Sequence, residues 1–143
     1  HAKISKEETR QVVAQEKKYK RSGLKKNNIQ IYIDRITQYM ETEKPFLNRE
    51  LSIYDLSEEL EIPRHIISEV INEHMGKNFY TINEYRVDEV KRRLQDPSYR
   101  NLTILAIAYE SGFNSKSSFN TIFKESTGQT PSQYVQLVTS RDS

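Results

Sequence analysis

The feature that most constrains the fold is a spaced pattern of apolar and small residues near the C-terminus. Apolar residues recur at helical steps on both sides of Gly112, and a Thr130-Pro131 pair marks the start of a further helix. Two helices cross closely only if a small residue such as Ala108 lies at the crossing, and a tight turn needs a residue that tolerates positive φ. The pattern predicts a helix-turn-helix whose turn and core consist of Ala108, Gly112, Phe113, Phe119, Phe123 and Pro131.

Length and composition restrict the class of protein. The chain has 143 residues, enough for one ordinary domain or two small ones. It has no cysteine, which excludes disulfides and thiolate metal sites. It also lacks the run of about 18 apolar residues that a membrane-spanning helix needs. Because the first residue is histidine and both methionines are internal, we expect the sequence to be part of a longer protein. The absence of cysteine permits a reducing compartment, and we expect the protein to be cytoplasmic.

The net charge of +2 hides an asymmetry along the chain. Residues 1–28 contain nine Lys or Arg and three Glu, a charge of +6, whereas the remaining residues carry −4. Nucleic-acid-binding domains usually present a basic surface, because neutralised phosphates supply much of the affinity. The net charge of the domain therefore argues mildly against nucleic-acid binding. If the domain does bind nucleic acid, the binding must depend on where its charges lie.

Residues 1–28 form a basic leader with good helix formers but few large apolar side chains, irregularly spaced. This composition predicts a leader that is helical or partly disordered, solvated or partner-seeking, and outside a folded domain at 29–143. Its basic cluster consists of Lys17, Lys18, Lys20, Arg21, Lys25 and Lys26, and three roles stay open for it. The first role is a solvated tether, and the second is an extra phosphate-binding segment. The third is a segment that follows a membrane-spanning helix and binds anionic lipid at the inner face of the membrane.

The first part of the folded domain is predicted to be helical. A stripe at three- and four-residue steps predicts a helix that Pro45 ends, with the apolar residues Ile29, Ile33, Ile36, Tyr39 and Met40. Ser52 then caps a short helix, and Pro63 starts a helix that runs to about Met75. At 100° per residue, its apolar side consists of Ile66, Ile67, Val70 and Ile71. Its polar side consists of His65, Ser68, Glu69 and Asn72.

The second part repeats this plan after a long helix at 80–94, whose outer surface is predicted to carry Arg86, Lys91, Arg92 and Arg93. Thr103, Ser115 and Pro131 mark the starts of three more helices, which the sequence predicts at 104–111, 116–127 and 131–138. The predicted fold class is all-α, with seven helices and the leader helix. Two helix-turn-helix subdomains, 51–76 and 103–128, are joined by the helix at 80–94 as a central linker.

These residues closely resemble the signature of the AraC/XylS transcription regulators. The resemblance covers about residues 30–138. In the second unit it is carried by Ile104, Ile107, Ala108, Gly112, Phe113, Ser115, Ser118, Phe119, Phe123, Lys124, Gly128, Thr130, Pro131, Ser132 and Tyr134. In the first unit and the linker it is carried by Leu51, Ser52, Leu56, Leu60, Gly76, Phe79, Tyr85 and Arg86. So many spaced positions make it more specific than a single helix-turn-helix pattern.

The resemblance implies that each unit places a recognition helix in one of two successive major grooves, roughly 34 Å apart. It implies base-reading residues on the first recognition helix at His65, Ser68, Glu69 and Asn72, and on the second at Lys116, Ser117, Ser118 and Thr121. Helix starts and outward cations bind phosphates. Contacts to the DNA backbone are accordingly predicted for Arg64, Ser115, Asn120, Lys124, Thr130 and Ser132.

Two features depart from the family pattern. Arginine, which makes the commonest specific contact to guanine, is missing from both polar faces apart from Arg64 at the margin. Direct readout then depends on contacts such as Asn72 to adenine and Glu69 to cytosine N4, and DNA shape or bridging water supplies the rest. The second departure is the basic leader, on which the resemblance says nothing.

Other functions find less support in the sequence. Phe113, Phe119, Phe123 and Tyr134 could stack on single-stranded bases, but their helical spacing favours a core. His65, Glu69, Glu73 and His74 suggest a metal site only weakly, since no HExxH motif or cysteine pair accompanies them. The serines cap helices or face solvent, so we expect neither catalysis nor a cofactor.

The sequence thus predicts a bacterial transcription regulator that binds double-stranded DNA. The alternative is a helical interaction module whose acidic domain recruits a basic partner or a polymerase subunit. Salt dependence separates the two, because affinity for DNA falls steeply with salt. In the longer protein we expect a sensor domain upstream, and contact with RNA polymerase and homodimer formation stay open.

Overall fold

The computed structural model describes residues 5–18, 26–75 and 80–142. The described residues form eight α-helices and no β-strand, which confirms the all-α prediction. The helices are α1 (Lys6–Lys18), α2 (Lys26–Glu43), α3 (Ile53–Leu60), α4 (Arg64–Glu69), α5 (Tyr80–Leu94), α6 (Ile104–Glu110), α7 (Lys116–Thr127) and α8 (Pro131–Asp142). Across the described ranges, no helix has both the length and the apolar character needed to cross a membrane.

The chain divides into two compact units. Unit 1 contains α1 to α4, within residues His1–Pro45 and Glu50–Thr81. Unit 2 contains Ile82–Ser143, which carries α5 from Ile82 onwards and all of α6 to α8, and also the segment Phe46–Arg49. This segment lies between α2 and α3 in sequence, so each unit is built from separate stretches of the chain.

The core of unit 1 is formed by buried side chains of α2, α3 and α4. On α2 the buried apolar residues are Tyr32, Ile36 and Met40, which form one line because they are four residues apart. The predicted stripe included Ile36 and Met40 but not Tyr32. α3 contributes the buried side chains of Leu56 and Leu60 to the core, and α4 contributes those of Ile66 and Ile67. Val70 and Ile71, which come directly after α4 in the sequence, are also buried.

The leader helix α1 is part of unit 1. Thr9, Val12 and Val13 are buried, and they fall on one side of the helix. The Arg10 guanidinium also donates two hydrogen bonds to the Glu61 carboxylate, with nitrogen–oxygen distances of 3.1 and 3.2 Å. In the structure α1 therefore packs against unit 1 through a narrow stripe of small side chains, whereas the sequence pattern places the start of the folded domain after the leader. Lys20, Arg21 and Lys25 of the predicted basic cluster lie outside the described residues.

The turn between α3 and α4 is made without glycine. Ser52 caps α3 by accepting a hydrogen bond from the Asp55 backbone N–H, and the Asp55 carboxylate accepts one from the Ser52 N–H in return. At its other end α3 stops at Glu61, whose φ of 56° lies in the left-handed region. The buried Ile62 and then Pro63 follow and lead into α4. The local sequence thus sets both ends of the helix that precedes α4.

The core of unit 2 is a cluster from α5, α6 and α7. Phe119 lies between Phe113 and Phe123, with ring centroids 5.2 and 5.6 Å away, and Phe123 meets Tyr134 of α8 at 5.5 Å. Such tilted and edge-on contacts are favourable for aromatic rings. The buried members of the cluster are Val87, Val90, Ile107, Ala108, Phe113, Phe119 and Phe123. The phenylalanines are therefore core residues and offer no exposed stacking platform.

The prediction that Arg86 faces outward is wrong. Its side chain donates from Nε to the Phe46 carbonyl at 2.8 Å, from Nη2 to the Asn48 carbonyl at 3.0 Å and from Nη1 to Asn83 Oδ1 at 3.0 Å. The residue is only 9% exposed, and burial lowers the pKa of its guanidinium. It is drawn inward because the carbonyls of the segment Phe46–Arg49 need donors where water is excluded.

Arg93 is also largely covered, and it bonds the buried Glu89 carboxylate at 2.7 Å. Lys91 and Arg92 are the members of the predicted basic surface that keep substantial solvent exposure. Two of the four cations expected on the outside of α5 therefore contribute to the structure of unit 2.

Candidate nucleic-acid interface

The first candidate surface, called the α4 surface, is the polar side of α4 and of the helical turn Val70–His74 that continues it. The side chains of Ile66, Ile67, Val70 and Ile71 are buried, as the sequence pattern indicates. On the opposite side His65 and Asn72 are exposed, whereas Ser68 and Glu69 are partly buried. The Asn72 amide nitrogen lies 3.4 Å from Ser68 Oγ, a long hydrogen bond that groups these two side chains. The four predicted base-reading residues of this unit thus lie opposite its core.

The helix changes its geometry after Glu69. Residues Val70–His74 form a π-helical turn, in which the Met75 N–H donates to the Val70 carbonyl at 2.9 Å. Such turns bond residues five apart and therefore bring side chains five apart towards the same side. His74 Nε2 accordingly lies 3.9 Å from Glu69 Oε2. A pattern counted at 100° per residue does not predict this pairing.

The same turn produces the one group of side chains in the described ranges that could hold a metal ion. The candidate ligand atoms of Glu69, Glu73 and His74 lie within 4.8 Å of one another. Glu73 and His74 are exposed and Glu69 is partly buried. Solvated carboxylates and imidazoles of this kind are common on protein surfaces, and we assign them to the polar face of α4.

The second candidate surface is the polar side of α7. Ser115 caps the helix, because its hydroxyl oxygen accepts a hydrogen bond from the Ser118 N–H at 3.1 Å. Phe119 and Phe123 hold the opposite side in the core of unit 2. Ser118 is partly buried, and the remaining predicted contact residues of this helix are exposed, namely Lys116, Ser117, Asn120, Thr121 and Lys124.

A groove of about 580 Å³ lies against this surface. Its apolar lining comes from Ile104, Leu105, Phe119 and Pro131, and its polar lining comes from Lys116, Asn120, Thr121, Lys124, Thr130 and Ser132. The groove thus offers two ammonium groups, hydroxyls and an amide around an apolar floor. This combination suits a sugar-phosphate strand, which has both anionic and apolar parts.

The start of α8 contributes to the same groove. Thr130 Oγ1 accepts a hydrogen bond from the Gln133 N–H at 3.2 Å, and Gln133 Oε1 accepts one from the Thr130 N–H at 2.9 Å. Pro131 has no N–H. The backbone N–H of Ser132 is therefore the donor in the first turn of α8 that has no hydrogen-bond acceptor in the described part of the chain. The helix dipole favours an anion at this end.

The two surfaces differ in charge. The α7 surface carries Lys116 and Lys124, whereas the α4 surface carries Glu69 and Glu73. The cation at the start of α4 is Arg64, whose guanidinium carbon lies 5.6 Å from the centroid of the Tyr54 ring on α3. No short-range sequence pattern indicates this contact of Tyr54, because the two residues are ten apart on different helices.

Comparisons with known proteins agree with this architecture. A family model described as a helix-turn-helix domain matches residues 56–136. Uncharacterised HTH-type transcriptional regulators of Staphylococcus aureus strains COL and MRSA252 are each 32% identical to this chain over 102 residues. Each match covers 71% of this chain and 13% of the relative, so the chain spans only a small part of their length.

Two solved structures share the fold. The C-terminal domain of AraT, a response regulator from Geobacillus stearothermophilus, superposes with a TM-score of 0.62 at 26% identity, covering 81% of this chain and 88% of that one. A protein of unknown function from Listeria innocua gives a TM-score of 0.61 at 25% identity, covering 73% of this chain and 95% of that one.

Proposed function

The chain belongs to the AraC-type helix-turn-helix family of DNA-binding transcription regulators, and from this membership we propose that it binds double-stranded DNA sequence-specifically through α4 and α7. In the proposal each helix enters a major groove, and the two grooves are successive turns of one duplex. The family is a non-enzymatic class, and we propose no reaction for the chain.

The observation that carries the proposal is the division of α7 into two sides. Phe119 and Phe123 are fixed in the core, so the orientation of Ser117 and Thr121 towards solvent is fixed as well. A helix held in this way can present hydroxyl and ammonium groups to base edges without first ordering its backbone. We propose that Lys116, Ser117, Ser118 and Thr121 read bases in this groove.

The α4 surface is proposed to read bases through different chemistry. The Asn72 amide can make two hydrogen bonds to adenine N6 and N7, and the Glu69 carboxylate can accept one from cytosine N4. His65 and Ser68 complete this surface. Because Glu69 and Glu73 repel phosphates, this unit depends more on the bases it meets than the α7 surface does.

Backbone contacts are proposed around the groove beside α7. Lys124 and the first turn of α8 line the groove together, and an anion there would meet an ammonium group, the Ser132 N–H and the positive end of the helix dipole. We propose that Ser115, Asn120, Thr130 and Ser132 fix the position of the strand, and that Lys124 supplies charge. These contacts carry affinity but no sequence information.

Selection of bound duplexes from a random pool with the full chain tests this proposal. We expect enrichment of two short conserved blocks about one helical turn apart, and an affinity that falls linearly with salt on a log–log plot. A pool without an enriched motif, together with a flat salt response, would instead favour the helical interaction module.

The longer protein is proposed to carry a sensor upstream of this domain, since the matched relatives extend far beyond the region they share with it. Contact with RNA polymerase, membrane proximity through the basic leader and homodimer formation stay predictions from the sequence.

A further inference from the structure

Arg64 is the first residue of α4 and is exposed to solvent. Its guanidinium lies over the ring of Tyr54, within the roughly 6 Å at which cations and aromatic rings attract. In the described part of the chain, its side chain has no carboxylate partner and no hydrogen bond. The N–H groups of the planar guanidinium are therefore free to bind a ligand, while the Tyr54 ring restricts the position of the guanidinium.

Tyr54 has little other reason to be held at this position. At 55% exposure it is the most exposed of the large hydrophobic side chains in the described residues. It lies in the first turn of α3, the helix that precedes α4 in the helix-turn-helix. A ring this exposed adds little to the core, and its contact with Arg64 is the interaction that the structure gives it.

The position of Arg64 on α4 favours a base contact over a phosphate contact. In helix-turn-helix proteins the N-terminal residues of the recognition helix reach base edges, whereas the preceding helix crosses the backbone. Arginine is also the side chain whose fork matches the O6 and N7 acceptors of guanine. The sequence alone predicted a backbone contact here, since Arg64 is at the margin of the polar face.

We infer that Arg64 reads a guanine in the groove entered by α4, and that Tyr54 is a positioning residue that holds the guanidinium ready for this contact. The inference rests on the proposed function and adds to it the one arginine–guanine contact that the polar faces otherwise lack. Tyr54 itself touches no base in this arrangement.

The test uses the full chain and the motif obtained by selection. Affinities of the wild type, Arg64→Lys and Arg64→Ala are measured for the selected duplex and for duplexes with each single base replaced. We expect both variants to lose discrimination at one guanine by roughly 10- to 100-fold. Lysine retains the charge but not the planar fork, so its salt slope should stay near that of the wild type.

Two variants of Tyr54 test the positioning role. Tyr54→Phe retains the ring and should bind like the wild type. Tyr54→Leu removes the ring and should weaken binding about three- to fivefold, only for duplexes that contain the guanine. Tyr109→Leu is the matched control, because Arg49 lies over the Tyr109 ring in unit 2 and its loss should leave the preference for that guanine unchanged. Thermal unfolding of each variant verifies that it is folded.

The outcomes separate this inference from the proposed function. If the wild type binds no duplex, the proposed function fails and the role of Arg64 fails with it. If the wild type selects a motif but Arg64→Ala discriminates every base as well as the wild type does, Arg64 reads no base and only the inference is overturned. If Tyr54→Leu binds the guanine-containing duplex as the wild type does, the positioning role is overturned.

Discussion

The carbonyl oxygen of Phe46 lies so close to Gly112 that a Cβ atom on this glycine would come nearer than 3.0 Å to it. Gly112 forms the turn between α6 and α7 with a φ of 105°, a conformation that other residues rarely adopt. The same carbonyl accepts a hydrogen bond from Arg86 Nε. One backbone oxygen thus links the segment before α3, the helix α5 and the turn that orients α7.

The first prediction concerns Gly112→Ala. We expect it to lower the free energy of unfolding of unit 2 by at least about 2 kcal/mol, because it combines backbone strain with a collision against a fixed carbonyl. Gly128→Ala is the matched control. Its φ is 78° but nothing lies within 4 Å of its added Cβ, so it should cost only the strain, about 1 kcal/mol. Urea denaturation measures both, and equal losses would contradict the packing described at Gly112.

The second prediction concerns the buried arginine. Arg86→Met should leave the carbonyls of Phe46 and Asn48 without their donor, at a cost of roughly 1–3 kcal/mol for each unsatisfied group. Arg100→Met, which changes an exposed arginine of the same unit, should have almost no effect. Chemical denaturation followed by circular dichroism compares the two. Equal stability of both variants would mean that Arg86 is solvated in solution.

The sequence predicted local features of the fold well because their causes are local. Thr103 and Ser115 each accept a hydrogen bond from an N–H three residues later, so the helix starts can be seen in a short stretch of sequence. The helical spacing of Phe119 and Phe123 similarly determines which side of α7 is buried. These residues define the orientation of the polar side of α7.

The features that the sequence did not predict depend on distant partners. The carbonyl acceptors of Arg86 are 40 and 38 residues away in the chain, and a helical pattern alone places a charged side chain on the outside. Arg10 bonds Glu61, 51 residues away, so the docking of α1 was also missed. The contact of Arg64 with Tyr54 has the same origin, since only the folded turn brings α3 and α4 together.

The third prediction concerns the docking of α1. Val12→Ala and Val13→Ala should each lower the free energy of unfolding by about 1–2 kcal/mol, because each removes apolar surface buried in unit 1. Gln11→Ala on the exposed side of the same helix should leave it unchanged. Urea denaturation tests the set. If the valine variants match the control, α1 does not dock in solution.

The fourth prediction concerns the pH dependence of the turn after α5. The Ser98 hydroxyl donates to Asp96 Oδ1 at 2.7 Å and the Ser98 N–H at 2.9 Å, and these bonds lower the pKa of Asp96, with help from the charge of Arg92. Ser98→Ala should raise the pKa of Asp96 towards its ordinary value, as measured by NMR titration of the carboxyl carbon. Ser126→Ala, an exposed serine on α7, should not change it.

The direction of the linked stability change follows from the lowered pKa. A carboxylate with a lowered pKa in the folded state stabilises the fold above its unfolded-state pKa, and this contribution is lost as the pH falls through the folded-state pKa. Acid should therefore remove less stability from Ser98→Ala than from the wild type. A greater acid sensitivity of the variant would contradict the assignment of these hydrogen bonds.

The fifth prediction separates base contacts from backbone contacts on the surface of α7. Thr121 and Lys124 are both exposed and line the same groove, but Thr121 is proposed to read a base and Lys124 to bind a phosphate. Thr121→Ala should relax the preference at one base position, whereas Lys124→Ala should weaken binding to all sequences about equally and reduce the salt slope by about one.

Glu125→Ala, an exposed neighbour outside the proposed contacts, is the control and should retain the base preference. Binding titrations at several salt concentrations against the selected duplex and its single-base variants measure both effects. Because Phe119 and Phe123 fix the rotation of α7, an exchange of the two phenotypes would require a different helix orientation from the one that the core imposes.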